Sequence, residues 1–417
     1  MATDGGWSER GDPGHMDRRE PLRVLIAGAG VAAFEATLAL RALAEDRVDI
    51  ELLAPDHEFV YRPMSVAEPF GKGEMRQFPV SRLASLAGAR LTPGTLAGAD
   101  LARRVVKTAD GRELPWDVLL LAVGARTREG VPGGLTFRGP DDRQELSELL
   151  EEAATGRAGS ITFALPTLAA WPLPLYELAL MAKAELEDRG ATHVSIEVVT
   201  PESQPLAIFG RQASQSVAEL LESRGIAVRT HTTPAVFRDG ALVVVPGRAL
   251  RTQRVVSVPV PEGRRIPGIP QNGRGFVRAD EHGRVEGRDD LFAAGDMTAF
   301  PIKQGGIAAQ QADAAAESIA ALAGVEIEPQ PFKPVLRGLL LTGLSPRFLR
   351  AGVLDDTSAV DMESLWWPPG KIAGRYLAPF LAQHIGFSAE PPPELLTAGS
   401  SKVDVELDRA GGAWVQS

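Results

Sequence analysis

Two short stretches of this chain hold the residues whose types and spacing could do chemistry. The first is Gly28-x-Gly30-x-x-Ala33, reached from the apolar run Val24 to Ala27 and followed by an apolar helical pattern from Phe34 to Leu43. This reads as a buried strand, a tight turn and a helix. Gly28 permits the turn, and Gly30 lets the backbone approach a pyrophosphate with no Cβ in the way. Ala33 stands where a third glycine is usual but is small enough for close helix–strand packing. Ala29, Val31 and Ala32 complete the turn, whose helix N-terminus turns free N–H groups and a positive dipole end toward phosphate. A glycine-rich strand–turn–helix that binds nothing would carry the same pattern, so the stretch needs a second.

The second is Leu291-Phe292-Ala293-Ala294-Gly295-Asp296, followed by Pro301-Ile302-Lys303-Gln304-Gly305-Gly306 and a helix over 307–322. A carboxylate at a strand end, Asp296, can accept a hydrogen bond from a ribityl hydroxyl, and Gly295 keeps the approach clear. Gly305 and Gly306 place another helix N-terminus where a reduced flavin carries negative charge. In this order the two stretches describe the two ends of one bound FAD. Lys303 follows Asp296 closely and has two open readings: a group that helps hold reduced-flavin charge, or a surface lysine in a loop.

Together with Asp117-Val118-Leu119-Leu120-Leu121-Ala122-Val123-Gly124-Ala125, these motifs make the chain resemble the pyridine nucleotide-disulphide oxidoreductase superfamily. The middle segment is similar to the one that closes over the FAD domain there, which implies roles for Ala122 and Gly124 at the cofactor. Phe59-Val60-Tyr61-Arg62-Pro63 and the run Lys303 to Ala312 resemble the type II NADH dehydrogenase and sulfide:quinone reductase-like branch. The resemblance spans about residues 21–325. It implies an α/β fold with two Rossmann-like lobes, each a three-layer ββα FAD/NAD(P)-binding unit, the second inserted in the first. The expected divisions are a disordered leader over 1–20, an FAD-binding domain over 21–136 and 285–330, an NAD(P)-binding-like domain over 137–284, and a C-terminal cap over 331–417. Arg62 is implied to line the flavin or its phosphates; a solvated loop with a proline-fixed turn is the other reading.

The length of 417 residues suits two or three lobes, and an apolar fraction of 44% with 24% charged residues is that of a globular protein. The net charge of −10 disfavours nucleic acid or an anionic membrane as an electrostatically recruited partner. No apolar run reaches the length of a spanning helix, and residues 1–20 lack a secretory apolar stretch, so a cytoplasmic location is expected. There are no cysteines. Disulphide reductases need a redox cysteine pair and sulfide:quinone reductases use cysteine to carry sulfur, so the likeness is not expected to extend to either chemistry. The histidines, among them His57, His193, His231, His282 and His384, are scattered, and no spacing points to a metal site.

Strand 23–27, helix 31–44 and strand 48–54 form the first βαβ unit. The acid that should meet the adenosine ribose is missing from the end of the second strand, where Ala54 stands. Glu51 inside the strand is open to a ribose contact or to an exposed strand position, and Asp56 reads as a turn residue. A hairpin is expected over 103–117, turning at Ala109 to Arg112. The second lobe opens with the strand Ser160 to Ala164. In relatives such a strand leads into a glycine motif for NAD(P)H; here no glycine occurs between Ser160 and Leu180, and side chains and rigid prolines fill the place. Glu177 matches the acid after the family's third glycine, displaced by an insertion. Either NAD(P)H docks in an altered way or the lobe has kept the fold and lost the ligand. A helix opening at Tyr176, strand 194–199, helix 212–224 and strand 226–229 continue the lobe.

In the cap, a strand–turn is expected over 335–343 and a short amphipathic helix over 372–385. Trp366, Trp367, Lys371, Tyr376 and Phe380 suit either a peripheral membrane anchor or, more in keeping with the lack of a basic cluster, a lid or homodimer contact. Three functions follow. The chain is a flavoenzyme moving two electrons from a reduced donor, with NAD(P)H a candidate, to a quinone or other small acceptor; or its donor is a non-nicotinamide molecule or protein redox partner; or it binds FAD without catalysis.

Overall fold

The computed structural model describes residues 20–354, 357–366, 371–372 and 374–385; residues 1–19 of the expected leader, Trp367 and residues 386–417 of the expected cap lie outside them. The chain builds β1 (Leu22–Ala27), α1 (Val31–Ala44), β2 (Val48–Ala54), β3 (Arg90–Pro93) and β4 (Val118–Leu121). It then forms β5 (Leu135–Thr136), β6 (Ser160–Ala164), α2 (Leu173–Asp188), β7 (Ser195–Val199), α3 (Gly210–Ser223), β8 (Ala227–Arg229) and β9 (Arg254–Ser257). The last stretch contributes β10 (Leu291–Ala293), α4 (Gly305–Leu322), β11 (Val335–Leu340), β12 (Arg347–Gly352), β13 (Ser358–Asp361) and α5 (Leu377–Ile385).

Two five-stranded parallel sheets organise these elements, in the orders β10-β4-β1-β2-β3 and β5-β9-β6-β7-β8. The second sheet falls between β4 and β10 in sequence, so the first lobe is discontinuous and the second is inserted in it. Central strands of a parallel sheet are covered on both faces and read as unbroken apolar runs, as β4 does throughout and β1 does from Val24 on. On one face α1 and α4 pack against each other through Ala32, Ala33, Ala36, Ala308, Ala312, Ala315 and Ala316, whose small side chains let the helix backbones approach. On the other face lies a three-stranded antiparallel layer over 96–115, with Trp116 buried beneath it, and this completes the ββα sandwich.

The lobe divisions differ from those expected. β5 already pairs with β9 in the second sheet, so that lobe begins within the stretch ending at 136. The chain also returns before 285: Ile266, Ile269, Val277 and Val285 pack with Leu25, Trp116 and Leu119 in the core of the first lobe. Apolar side chains decided this, because residues 263–285 cover the edge strand β10 and its neighbours instead of continuing the second sheet.

Helix starts also moved. α2 begins at Leu173 rather than Tyr176, because a proline is tolerated in the first turn of a helix, where its missing N–H is no loss. α3 begins at Gly210 and α4 at Gly305, each slightly ahead of expectation. In the cap, helix forms only from Leu377. The cause is Glu35, fully buried on α1, whose carboxylate accepts the amides of Tyr376 at 2.7 Å and Leu377 at 2.8 Å and caps α5 there. Trp366 and Phe380 are buried and Lys371 is ion-paired inside the protein, so these three are core residues and not a surface anchor. No helix among the described residues is long and apolar enough to cross a membrane.

Candidate cofactor site

The turn after β1 is shaped by close approach. Gly28 has φ +130°, and its amide donates to the Leu53 carbonyl at 2.8 Å, holding the turn against β2. A Cβ at Gly28 would lie 2.3 Å from the Ala122 carbonyl oxygen, so glycine is required by the protein itself. Gly30, the N-cap of α1, is different. It is exposed, and a Cβ there would meet nothing within 4 Å. Behind it the amides of Val31, Ala32 and Ala33 have no partner within the helix, which is the arrangement that receives phosphate. Ala29, Ala32 and Ala33 are buried in the floor of the turn, and Ala122 and Gly124, the latter at φ +64°, end β4 beside it.

β10 lies next to β4, and its end presents the second group. Gly295 has φ +80°, its amide donates to Gln311 Oε1 at 2.8 Å, and a Cβ on it would lie 3.1 Å from that of Ala32. The motifs at 28 and 295 therefore meet in space. Asp296 follows on a single 3₁₀ turn, and its carboxylate makes no hydrogen bond among the described residues. Burial pushes its pKa up, against the opposing pull of Lys303 and Arg62. Arg62 is itself exposed at the start of the 3₁₀ segment Arg62–Phe70. Lys303 Nζ donates to the carbonyl of Thr298 and, at 2.7 Å, to that of Phe300, and sits 4.3 Å above the Phe276 ring.

Burial pushes the Lys303 amine down to about 8, with Asp296 opposing. An unfolded lysine keeps its proton to about 10.4, so between about 8 and about 10.4 the unfolded chain binds more protons than the folded one. Stability of the FAD-free chain should therefore rise with pH across that window. Urea melts of wild type and Lys303→Met should diverge there; identical pH profiles would show that the amine titrates normally.

At the start of α4, Gln304 is the N-cap and accepts the Ile307 amide at 2.9 Å. The amides of Gly305 and Gly306 are left without a partner in the helix. Ile372 packs on Gly305, where a Cβ would lie 2.9 Å from its side chain, and the Ile372 amide donates to the Tyr61 hydroxyl at 3.3 Å. Gly28, Gly30, Ala33, Ala122, Gly295, Asp296, Lys303, Arg62, Gly305 and Gly306 thus gather around the carboxyl ends of β1, β4 and β10. Glu51 does not join them. It is paired with Arg90 at 3.1 Å and accepts the Thr92 hydroxyl at 2.5 Å, both on β3; Ala54 is buried and Asp56 is exposed.

In the second lobe Glu177 points away from solvent. Its Oε1 accepts Lys371 Nζ at 2.5 Å and the Leu341 amide at 2.9 Å. Burial pushes the Glu177 pKa up and the Lys371 pKa down, each opposed by the charge of the other.

The pyridine nucleotide-disulphide oxidoreductase family matches residues 22–317. The chain belongs to that family. It is 29% identical over 302 residues to the biphenyl dioxygenase system ferredoxin–NAD(+) reductase component of Paraburkholderia xenovorans, covering 68% of this chain and 69% of that one. Among solved structures, the sulfide:quinone oxidoreductase of Aquifex aeolicus superposes with a TM-score of 0.72 at 18% identity, over 82% of this chain and 87% of that one. The ferredoxin reductase for the CYP199A2 system of Rhodopseudomonas palustris gives 0.58 at 18%, over 79% and 82%. These structural likenesses speak to the fold.

Membership of the pyridine nucleotide-disulphide oxidoreductase family implies FAD, with NAD(P)H as the nucleotide paired with it. The first lobe fits FAD: the Gly30 approach is open, the α1 amides are free, and Asp296 has an unspent carboxylate. The second lobe does not fit NAD(P)H, since the β6–α2 turn carries a side chain at every position. Sequence reasoning passed over Gln311, which holds the Gly295 turn, and Gln304, which caps α4 beside Gly305 and Gly306. Their signal was a glutamine at the helix cap and another two turns on along α4.

Proposed function

We propose that the chain is an FAD-dependent oxidoreductase that passes two electrons from a reduced donor to a quinone or another small acceptor. The carrying observation is the meeting of two glycine turns around the unspent Asp296 carboxylate. FAD, when bound, supplies the electron chemistry. The residues around it bind and orient: the α1 amides take the pyrophosphate, Asp296 accepts a ribityl hydroxyl, and the Gly305 and Gly306 amides face the pyrimidine end. Lys303, with its amine near 8, holds a proton close by at neutral pH. With no cysteine in the chain, we propose neither disulphide reduction nor sulfide oxidation. A second reading, in which the donor is a non-nicotinamide molecule or a protein redox partner, is favoured by the glycine-free turn after β6.

The test begins with the absorption spectrum of purified protein and identification of the released flavin. The dithionite-reduced protein is then mixed anaerobically with a soluble quinone. Bound FAD, reoxidised by quinone faster than free reduced FAD, is the expected outcome. A colourless protein that cannot be loaded with FAD overturns the proposal, and reoxidation no faster than that of free flavin sinks the quinone acceptor.

A further inference from the structure

We infer that the second lobe is not a dinucleotide site: its crevice is the seat of the C-terminal sheet, and the donor to the flavin carries no ADP moiety. This rests on the FAD reading above and decides between its two donors. In an open parallel α/β sheet, a dinucleotide lies outside the carboxyl ends of the strands. Its pyrophosphate sits on the first helix N-terminus, and its ribose on an acid after the second strand. In this lobe each of those places is spent on the protein itself.

At the first helix, Ala170, Leu173, Leu175 and Tyr176 are buried. Pro174 has no N–H, and the Leu175 amide is already given to the Pro172 carbonyl at 3.0 Å. After β7, Glu202 is the acid nearest the ribose position. It is buried, and Oε2 accepts the Tyr176 hydroxyl at 2.6 Å and the Thr200 hydroxyl at 2.9 Å. At the second helix, Ser358 of β13 occupies the N-terminus of α3. Its Oγ donates to the Phe209 carbonyl at 2.6 Å and accepts the Ala213 amide at 3.2 Å.

The covering sheet is fitted closely. A Cβ on Gly338 of β11 would lie 2.4 Å from the Phe209 ring, whose centroid is 5.8 Å from that of Trp171 in the β6–α2 turn. β11 is also pinned to the flavin helix: Gln310 exchanges two 2.9 Å hydrogen bonds with the backbone of Val335, and Gln304 donates to the Arg337 carbonyl at 3.3 Å. Opening the crevice means breaking contacts to both lobes at once.

Calorimetric titration of the FAD-loaded full chain with NADH, NADPH and ADP-ribose, to millimolar concentration, tests this. No saturable heat is expected, and NADH should leave the flavin oxidised while dithionite bleaches it. Saturable binding with rapid bleaching by NADH overturns the inference. A chain that takes no FAD would sink the FAD reading instead. Hydrogen exchange of that flavin-free chain with NADH would still decide: slowed exchange over 165–178 and 200–213 overturns the inference, and an effect confined to 26–34 supports it.

Discussion

Gly28→Val protein is expected to emerge from purification without flavin, with FAD affinity lowered on the order of 100-fold or more. The new side chain would meet the Ala122 carbonyl oxygen at 2.3 Å, at a φ of +130° that a β-branched residue does not adopt. Strain of that kind costs about 1–3 kcal/mol and overpacking a tight site about 1–3 kcal/mol more. Each 1.4 kcal/mol is a factor of about ten, and the sum falls on the turn proposed above to receive the pyrophosphate. Gly30→Val separates ligand from fold. Beyond its chain neighbours, no atom of the described residues lies within 4 Å of its Cβ, so the melting temperature of the FAD-free chain should stay unchanged while FAD affinity falls. If Gly30→Val keeps a full complement of FAD, the pyrophosphate does not sit at this turn.

Lys371→Met should be the most destabilising of the single substitutions in the cap. It leaves Glu177, 1% exposed, as a buried carboxylate with one backbone amide for company. Removing one partner of a buried pair costs about 3–5 kcal/mol, because the stranded charge must be neutralised or exposed. The pH dependence gives the sign. Glu177 already has a raised pKa in the folded chain, and loss of Lys371 raises it further. A carboxyl raised on folding destabilises most at high pH, and its penalty lifts as pH falls through the folded pKa. The deficit of Lys371→Met in urea melts should therefore shrink on acidification, and Glu177→Gln/Lys371→Met should recover most of it. A deficit independent of pH would mean that lost packing, not the charge, is responsible.

The parts of the candidate site that sequence made legible are those where close approach calls for a residue type. Gly28 and Gly295 have a positive φ and pack against other parts of the protein, whereas Gly30 is extended and its glycine leaves room only toward open space. Asp296 stood out as a candidate because it directly follows such a glycine. Glu51 was not, because its role depended on which strand became its neighbour; Arg90 and Thr92 on β3 settled it. Glu35 and Glu177 were invisible as tethers, since their partners lie 341 and 194 residues away. The early return of the chain to the first lobe was hidden for the same reason. Apolar residues at 266, 269, 277 and 285 fit either core, and the decision belongs to the edge strand they cover.

The discontinuity of the first lobe governs how the protein is made. While a ribosome extends the chain, β1, α1 and β4 emerge early, but β10 and α4 follow only after the whole inserted lobe. Until then α1 lacks the helix it packs against, the candidate site lacks Asp296, and the edge of β4 is bare. A nascent chain at that stage exposes an unpaired parallel edge and an apolar helix face, the features that invite misassembly. FAD bound at the proposed site would have to be captured after the inserted lobe is made. Chains cut short before β10 should therefore aggregate where the full chain does not.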